Sequence, residues 1–190
     1  MLKELKDIIN TIFPISDAAL NEIVALVEYK TCRKGDVFLE TGKRNQKEYF
    51  LLKGICRSFL FSPEGEEITI SFFNTGSVLS PFVTRTIKGT TNMNFQALTD
   101  ITLGEMDANK FEMLMVNNLE IREFGNMVLK SELKKKVEKE INLASLTALD
   151  RLKIFRSDYP GFENIVPHPT IATFLGITNV SLSRLRKNKA

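Results

Sequence analysis

The side chains best suited to chemistry with a partner lie in the final segment, HPTIATFLGITNVSLSRLRKNKA. Leu182 and Leu185 stand three apart, so on a helix they share one face and leave Asn179, Val180, Ser181 and Arg184 on the opposite one, near the helix start. Asparagine offers the donor and acceptor that match adenine, arginine the fork that matches guanine, and valine an apolar surface for a thymine methyl. Ser183, Arg186, Lys187 and Lys189 fall at the edges of that face, where backbone phosphates would lie. Thr178 is the expected N-cap of this helix. Ahead of it, Pro169 suits a first helical turn, and Ile171, Ala172, Phe174 and Leu175 fill a short helix. Gly176 supplies the left-handed residue needed to leave that helix sharply. A small residue, a glycine four on and a leucine six further on give the spacing of a helix-turn-helix. A helical hairpin that merely closes a core is the plainer alternative, and it would not require all three in register.

Other chemistries lack their residues. His168 is the only histidine, and at the start of a helix it reads as a capping or surface residue rather than a ligand. Cys32 and Cys56 stand alone with no C-x-x-C spacing, which excludes a cysteine-built zinc or iron–sulfur site and fits a reducing, cytoplasmic location. A metal enzyme on a jelly roll needs two or three histidines, and the β-type region has none. There is no Ser/His/Asp set, P-loop or dinucleotide fingerprint, so no catalytic residue, no metal and no cofactor are expected.

The elements that must carry this segment differ along the chain. Residues 1–129 hold 14 Lys+Arg and 17 Asp+Glu, whereas residues 130–190 hold 12 and 6, so the net charge turns from −3 to +6 where a polyanion would be bound. No run of eighteen apolar residues exists, so no membrane span is expected. The N-terminus reads as an amphipathic helix, broken at Pro14 and restarted by a cap at Ser16 or Asp17. From about residue 29 to 106, short β-type runs are divided by Gly35, Gly42, Gly54, Gly65 and Gly76. Ser62-Pro63-Glu64-Gly65 reads as a hairpin turn between ICRSFLF and EITISFF, and in the latter Ile68, Ile70 and Phe72 alternate with Thr69, Ser71 and Phe73. Residues 117–149 contain no proline. Leu129, Leu133, Val137, Ile141, Ala144 and Ala148 make one apolar stripe there, and a Lys/Glu-rich face runs opposite, from Lys130 to Glu140. The stripe is longer than a small β domain could cover, so a second copy of the same helix is the expected partner. The expected fold is α+β: a sensor β-roll with flanking helices over residues 1–116, a pairing helix over 117–144, and a helix-turn-helix domain over 145–190.

With these residues in view, the chain from about residue 5 to its end resembles the Crp/Fnr family of bacterial transcription regulators. The stretch KGDVFLETGKRNQKEYFLLKGICRSFLFSPEGEEITISFFNTGSVL is similar to that family's cyclic-nucleotide-binding-type β-roll, with its five glycines on the family's spacing. Residues 131–144 look like the dimerisation helix. IATFLGITNVSLSRLRK looks like the helix-turn-helix, with Arg184 where members often place a base-reading arginine. The resemblance implies a homodimer that binds double-stranded DNA and regulates transcription, its β-roll sensing an input that shifts the paired helices. RNA polymerase is a further partner to expect, although no residue marks the contact.

Departures from the pattern qualify this. Cyclic-nucleotide-binding members carry a glutamate for the ribose and an arginine for the cyclic phosphate. The matching positions here are Pro81 and about Thr91, which offer neither a carboxylate nor a cation. The cassette near Ser80, Pro81, Thr91 and Asn92 is therefore degenerate, and cyclic AMP is not expected to bind in the usual way, which leaves the effector unnamed. Members usually continue from the recognition helix into a β-hairpin wing; the given residues end at Ala190, so either a wing is absent or the sequence is cut before it. Asn179 and Val180 replace an arginine and a glutamate of the best-known members, so the operator should differ from theirs. A ligand-sensing or interaction module of the same fold that has lost DNA binding stays open.

Overall fold

The computed structural model describes residues 1–187. It divides into two compact units, Met1–Arg57 with Phe72–Lys134, and Ser58–Ser71 with Lys135–Ala190.

In the first unit, α1 (Leu2–Ile12) buries Leu5, Ile8 and Ile9, and α2 (Asp17–Val24) buries Ala19, Leu20 and Ile23. Ser16 is the cap of α2: its hydroxyl accepts from the Ala19 amide at 3.3 Å. The Ser16 amide and hydroxyl donate to Glu120 at 2.8 and 2.6 Å, which ties this corner to the start of the long helix. The chain then runs through β1 (Glu28–Cys32), β2 (Val37–Leu39), β3 (Lys47–Lys53), β4 (Cys56–Phe61), β5 (Glu67–Phe73), β6 (Ser77–Val78), the single turn α3 (Phe82–Arg85), β7 (Thr86–Ile87), β8 (Thr90–Thr91), β9 (Asn94–Ala97) and β10 (Ile101–Asp107). These form two four-stranded sheets, ordered β1-β10-β3-β6 and β2-β9-β4-β5, with β7 and β8 as a separate ribbon. The register sets Tyr29 against Gly104 and Gly104 against Phe50 in antiparallel ladders.

The apolar run in β3 reflects burial on both faces. Tyr49 and Leu51 join Phe73, Phe95 and Leu103 inside the roll. Phe50 and Leu52 join α1, α2 and Phe111, Ile121 and Phe124 outside it. Gly54 closes the turn into β4 at φ +93°, and a Cβ there would stand 2.5 Å from the Asp100 carbonyl oxygen. Only glycine fits such a position. The chain continues in α4 (Ala108–Asn117), capped by Asp107, and α5 (Leu119–Ser145).

Two sequence expectations need correction. Ala148 does not lie on the long helix, which stops at Ser145, and Thr147 caps α6 (Ala148–Asp158) by accepting from the Asp150 amide at 3.2 Å. Ala148 thus opens a new helix and leaves the stripe. In β5 the alternation fails: Ile68 is 40% exposed, Thr69 is buried, and Phe72 and Phe73 are both buried. Residues 58–71 belong to the second unit, and Thr69 is buried there against a helix rather than turned to solvent. That unit is completed by α7 (Phe162–Ile165), α8 (His168–Phe174) and α9 (Asn179–Lys187).

Candidate nucleic-acid interface

The pair α8–α9 is built as its residue types require. Ile171, Ala172, Leu175 and Leu182 are buried, as are Phe155 and Phe162 of the helices before them. The rings of Phe155, Tyr159, Phe162 and Phe174 pack at centroid distances of 5.1–6.4 Å. Gly176 leaves α8 at φ +66°, and the Ile177 amide donates to the Ala172 carbonyl at 3.0 Å. Thr178 caps α9, its hydroxyl oxygen accepting from the Ser181 amide at 3.1 Å. With Leu182 fully buried and Leu185 half-buried, α9 exposes Asn179, Val180, Ser183, Arg184 and Lys187, while Ser181 is half-buried. Thr178 is exposed at the helix start. Lys189 lies outside the described residues.

Arg186 is engaged within the protein. Its Nη1 meets the His168 ring at 2.6 Å, and its Nε lies 3.2 Å from Glu163. Glu163 also accepts from Arg156 at 2.5 and 3.1 Å, and that bond above all holds its carboxyl below the usual range. Arg186 therefore fixes the last turn of α9 to the residues that precede and open α8. His168 is its partner.

Along α5, Leu133, Val137, Ile141 and Leu143 are 64%, 44%, 55% and 43% exposed, Ala144 is exposed, and Leu129 is half-buried. The apolar stripe thus stays uncovered in the single chain. The charged face opposite is not merely solvated. In the first unit Glu132 accepts from the Ser80 hydroxyl at 2.8 Å. In the second, Lys136 donates to the Ser71 hydroxyl at 2.7 Å and Lys139 to the Ile70 carbonyl at 2.6 Å. Lys139 also lies 4.0 Å from the centre of the Phe174 ring. Burial, and then the charge of Lys136, pushes the Lys139 pKa down to about 7.

The cassette holds a residue that the sequence did not single out. Arg85 is fully buried: Nε donates to the Ser80 carbonyl at 3.0 Å, Nη1 to Asn45 Oδ1 at 2.6 Å, and Nη2 to the Lys47 carbonyl. Its guanidinium carbon lies 5.1 Å from the centre of the Tyr49 ring, and Nη2 is 4.0 Å from Glu48. Pro81 is the residue before α3, and Thr91 is buried with its hydroxyl unbonded. The Asn92 amide donates to the Arg85 carbonyl at 2.9 Å, and its Oδ1 has no partner. Glu48 accepts from the Phe82 amide at 2.9 and 3.1 Å, and burial pushes its pKa up to about 7 against the pull of Arg85. Among the described residues no group of His, Cys, Asp or Glu is arranged to hold a metal, and no helix is long and apolar enough to cross a membrane.

Residues 29–118 match the family model of the cyclic nucleotide-binding domain. A solved structure of a Crp/Fnr-family regulator from Eubacterium rectale covers 94% of this chain, and 87% of its own, with a TM-score of 0.72 at 16% identity. The chain shares the fold of that structure. FixK2 from Bradyrhizobium japonicum superposes with a TM-score of 0.73 at 17% identity over 86% of this chain and 84% of its own. The c-di-GMP-responsive global regulator CLP of Xanthomonas campestris gives 0.72 at 14% identity, over 91% of each. No curated protein sequence matches. Within that shared fold, β1–β10 form the roll, α5 the long connecting helix, and α8–α9 the C-terminal helix pair.

Arg85, Glu48 and Lys139 were missed for one reason. Each is a charged residue whose partners lie far off in sequence or on another element, and periodicity carries no signal for that. The partial exception is Lys139, which with Glu132 and Lys136 follows a three- and four-residue spacing on one helix face.

Proposed function

We propose that this chain is a homodimeric, DNA-binding transcription regulator of the cytoplasm, with α9 as the recognition helix and the β-roll as its sensor. One observation carries this reading: α9 buries Leu182 completely while Asn179, Val180 and Arg184 stand exposed at and after its start. A helix N-terminus with asparagine and arginine on its outer face is chemically matched to the major groove, and two copies related by a two-fold axis would read a pseudo-palindrome. Thr178, Ser181, Ser183 and Lys187 are the residues proposed to meet bases or phosphates beside them. Arg186 is assigned a positioning role instead, since Glu163 and His168 already hold it. The dimer is proposed to form along Leu129, Leu133, Val137, Ile141 and Ala144.

The sensor is proposed to work without cyclic AMP bound in the family's usual way. The support is Arg85, whose guanidinium is committed to Ser80, Asn45 and Lys47 inside the cassette, together with Pro81 and Thr91 at the positions that would need a carboxylate and a cation. Tight, saturable heat on titrating cyclic AMP would refute this. A gel shift on the protein's own upstream DNA tests the main reading. Arg184→Ala should weaken binding by about 5- to 150-fold, from the 1–3 kcal/mol of one bidentate base contact, and wild-type affinity should fall steeply with salt. Equal binding by both proteins at moderate salt defeats the assignment of α9.

A further inference from the structure

A cavity that adjoins the cassette at Pro81 lies on the outer face of β3. Phe50, Val78, Phe82, Met106, Phe111 and Phe124 are among the residues that line it, and its volume is about 250 Å³. It sits where α3, α4 and the first half of α5 meet. Close-packed interiors keep few voids larger than a water molecule, and an apolar cavity of about 150 Å³ is enough for benzene. This one has room for a two-ring aromatic of about a dozen heavy atoms. Part of the wall is adaptable: a Cβ at Gly125 would stand 2.5 Å from the Met115 methyl, so the glycine makes room for a flexible thioether.

The otherwise apolar wall includes one carboxylate with little exposure, that of Glu48, whose side chain is 14% exposed. β3 alternates so that Tyr49 and Leu51 face the roll, and Glu48 and Phe50 face this space. The carboxylate accepts the Phe82 amide and lies 4.0 Å from Arg85, which leaves lone pairs for a further donor and little uncompensated charge. Asn109 and Glu112 stand at the exposed rim with Val83.

We propose that this cavity binds a small neutral aromatic molecule bearing one hydroxyl, its rings against Phe50, Phe111, Phe124 and Val128 and its hydroxyl donated to Glu48. The balance of Glu48 by Arg85 selects a neutral alcohol over an ammonium. Phe124, Val128 and Leu129 belong to α5, which continues unbroken to Ser145, so an occupant bears on the helix assigned to pairing. That consequence rests on the proposed regulator; the binding itself does not.

Calorimetric titration of the full chain with 1-naphthol and with 1-methoxynaphthalene tests it. The alcohol should bind at one site per chain with a dissociation constant of about 10 µM to 1 mM, and at least about tenfold more tightly than the ether. Glu48→Gln should shrink that ratio to about threefold or less. Val83→Trp places a large ring at the mouth from a position 68% exposed, so it should abolish binding while thermal unfolding stays near wild type. Val128→Phe, which fills the cavity from α5, should do the same. No saturable heat, equal affinity for alcohol and ether, or binding that survives both filling variants would each overturn the proposal. So would affinity that weakens as protein concentration rises, because a second copy would then be the occupant. Naphthol binding without any DNA shift would instead count against the regulator reading alone.

Discussion

Replacing Leu133 and Ile141 together by serine should dissociate the proposed dimer while leaving each chain folded. Leu133, Val137 and Ile141 are 64%, 44% and 55% exposed in the single chain. Full burial of such a side chain contributes about 1.5–3 kcal/mol, so covering the exposed parts on two chains contributes roughly 5–10 kcal/mol before the cost of association is subtracted. Leu133 and Ile141 supply most of that, roughly 4–7 kcal/mol. Their loss should raise the dissociation constant by at least about a hundredfold. Both side chains point to solvent in the monomer, so the unfolding midpoint should move little beyond the modest helix-propensity cost of serine. Sedimentation velocity at micromolar concentration reads the result directly, with a dimer for wild type and a monomer for the variant. If the variant sediments as wild type does, the exposed stripe is not the pairing surface. If wild type is itself monomeric, the two-fold arrangement of recognition helices fails with it.

Two further perturbations follow from buried groups. Glu48 titrates near 7 in the folded chain and near 4.5 when unfolded, so the folded state holds the extra proton between those values, and wild-type stability should fall by up to about 3 kcal/mol as pH rises from 4.5 through 7. Glu48→Gln should flatten that part of the denaturant-midpoint profile, and identical slopes in the two proteins would show that the carboxyl is ionised throughout. Gly54→Ala should destabilise by about 2–4 kcal/mol, because its Cβ would meet a carbonyl oxygen at 2.5 Å as well as a left-handed φ, lowering the unfolding midpoint by about 5–15 °C. Gly65→Ala, at φ +84° with open space around it, should show the conformational cost alone, about 1–2 kcal/mol, and equal losses at the two sites would contradict the steric argument.

The helix-turn-helix was legible because its determinants are local. A small residue, a left-handed glycine and a capping threonine act within a few residues, and Gly176, Thr178 and Leu182 occupy the conformations and environments their types require. The hairpin turn at Ser62–Gly65 was readable for the same reason, with the Gly65 amide donating to the Ser62 carbonyl at 2.9 Å. The cassette was legible only as a departure. Sequence could say that Pro81 and Thr91 lack the needed groups, but not that Arg85 would turn inward onto Asn45 and Lys47, forty residues earlier in the chain. Nor could periodicity reveal Glu48. Alternation in KEYFLLK sets Glu48 beside Phe50, yet an apolar environment for that face depends on α3, α4 and α5 folding over it.

The charged side of α5 shows long-range pairing of the same kind. In the second unit the outer part of the β4–β5 hairpin meets α5 through Lys136 and Lys139, and meets α8 through Thr69, whose amide lies 3.2 Å from the Thr173 hydroxyl. Thr173 and Phe174 are the last residues of α8, immediately before the turn that aims α9. The Thr69–Thr173 bond is neutral, of a kind that contributes about 0.5–1.5 kcal/mol, whereas a bond from a charged lysine, as at Lys136, contributes about 1.5–3 kcal/mol. Lys139 adds a charge over the Phe174 ring while its own burial opposes that charge.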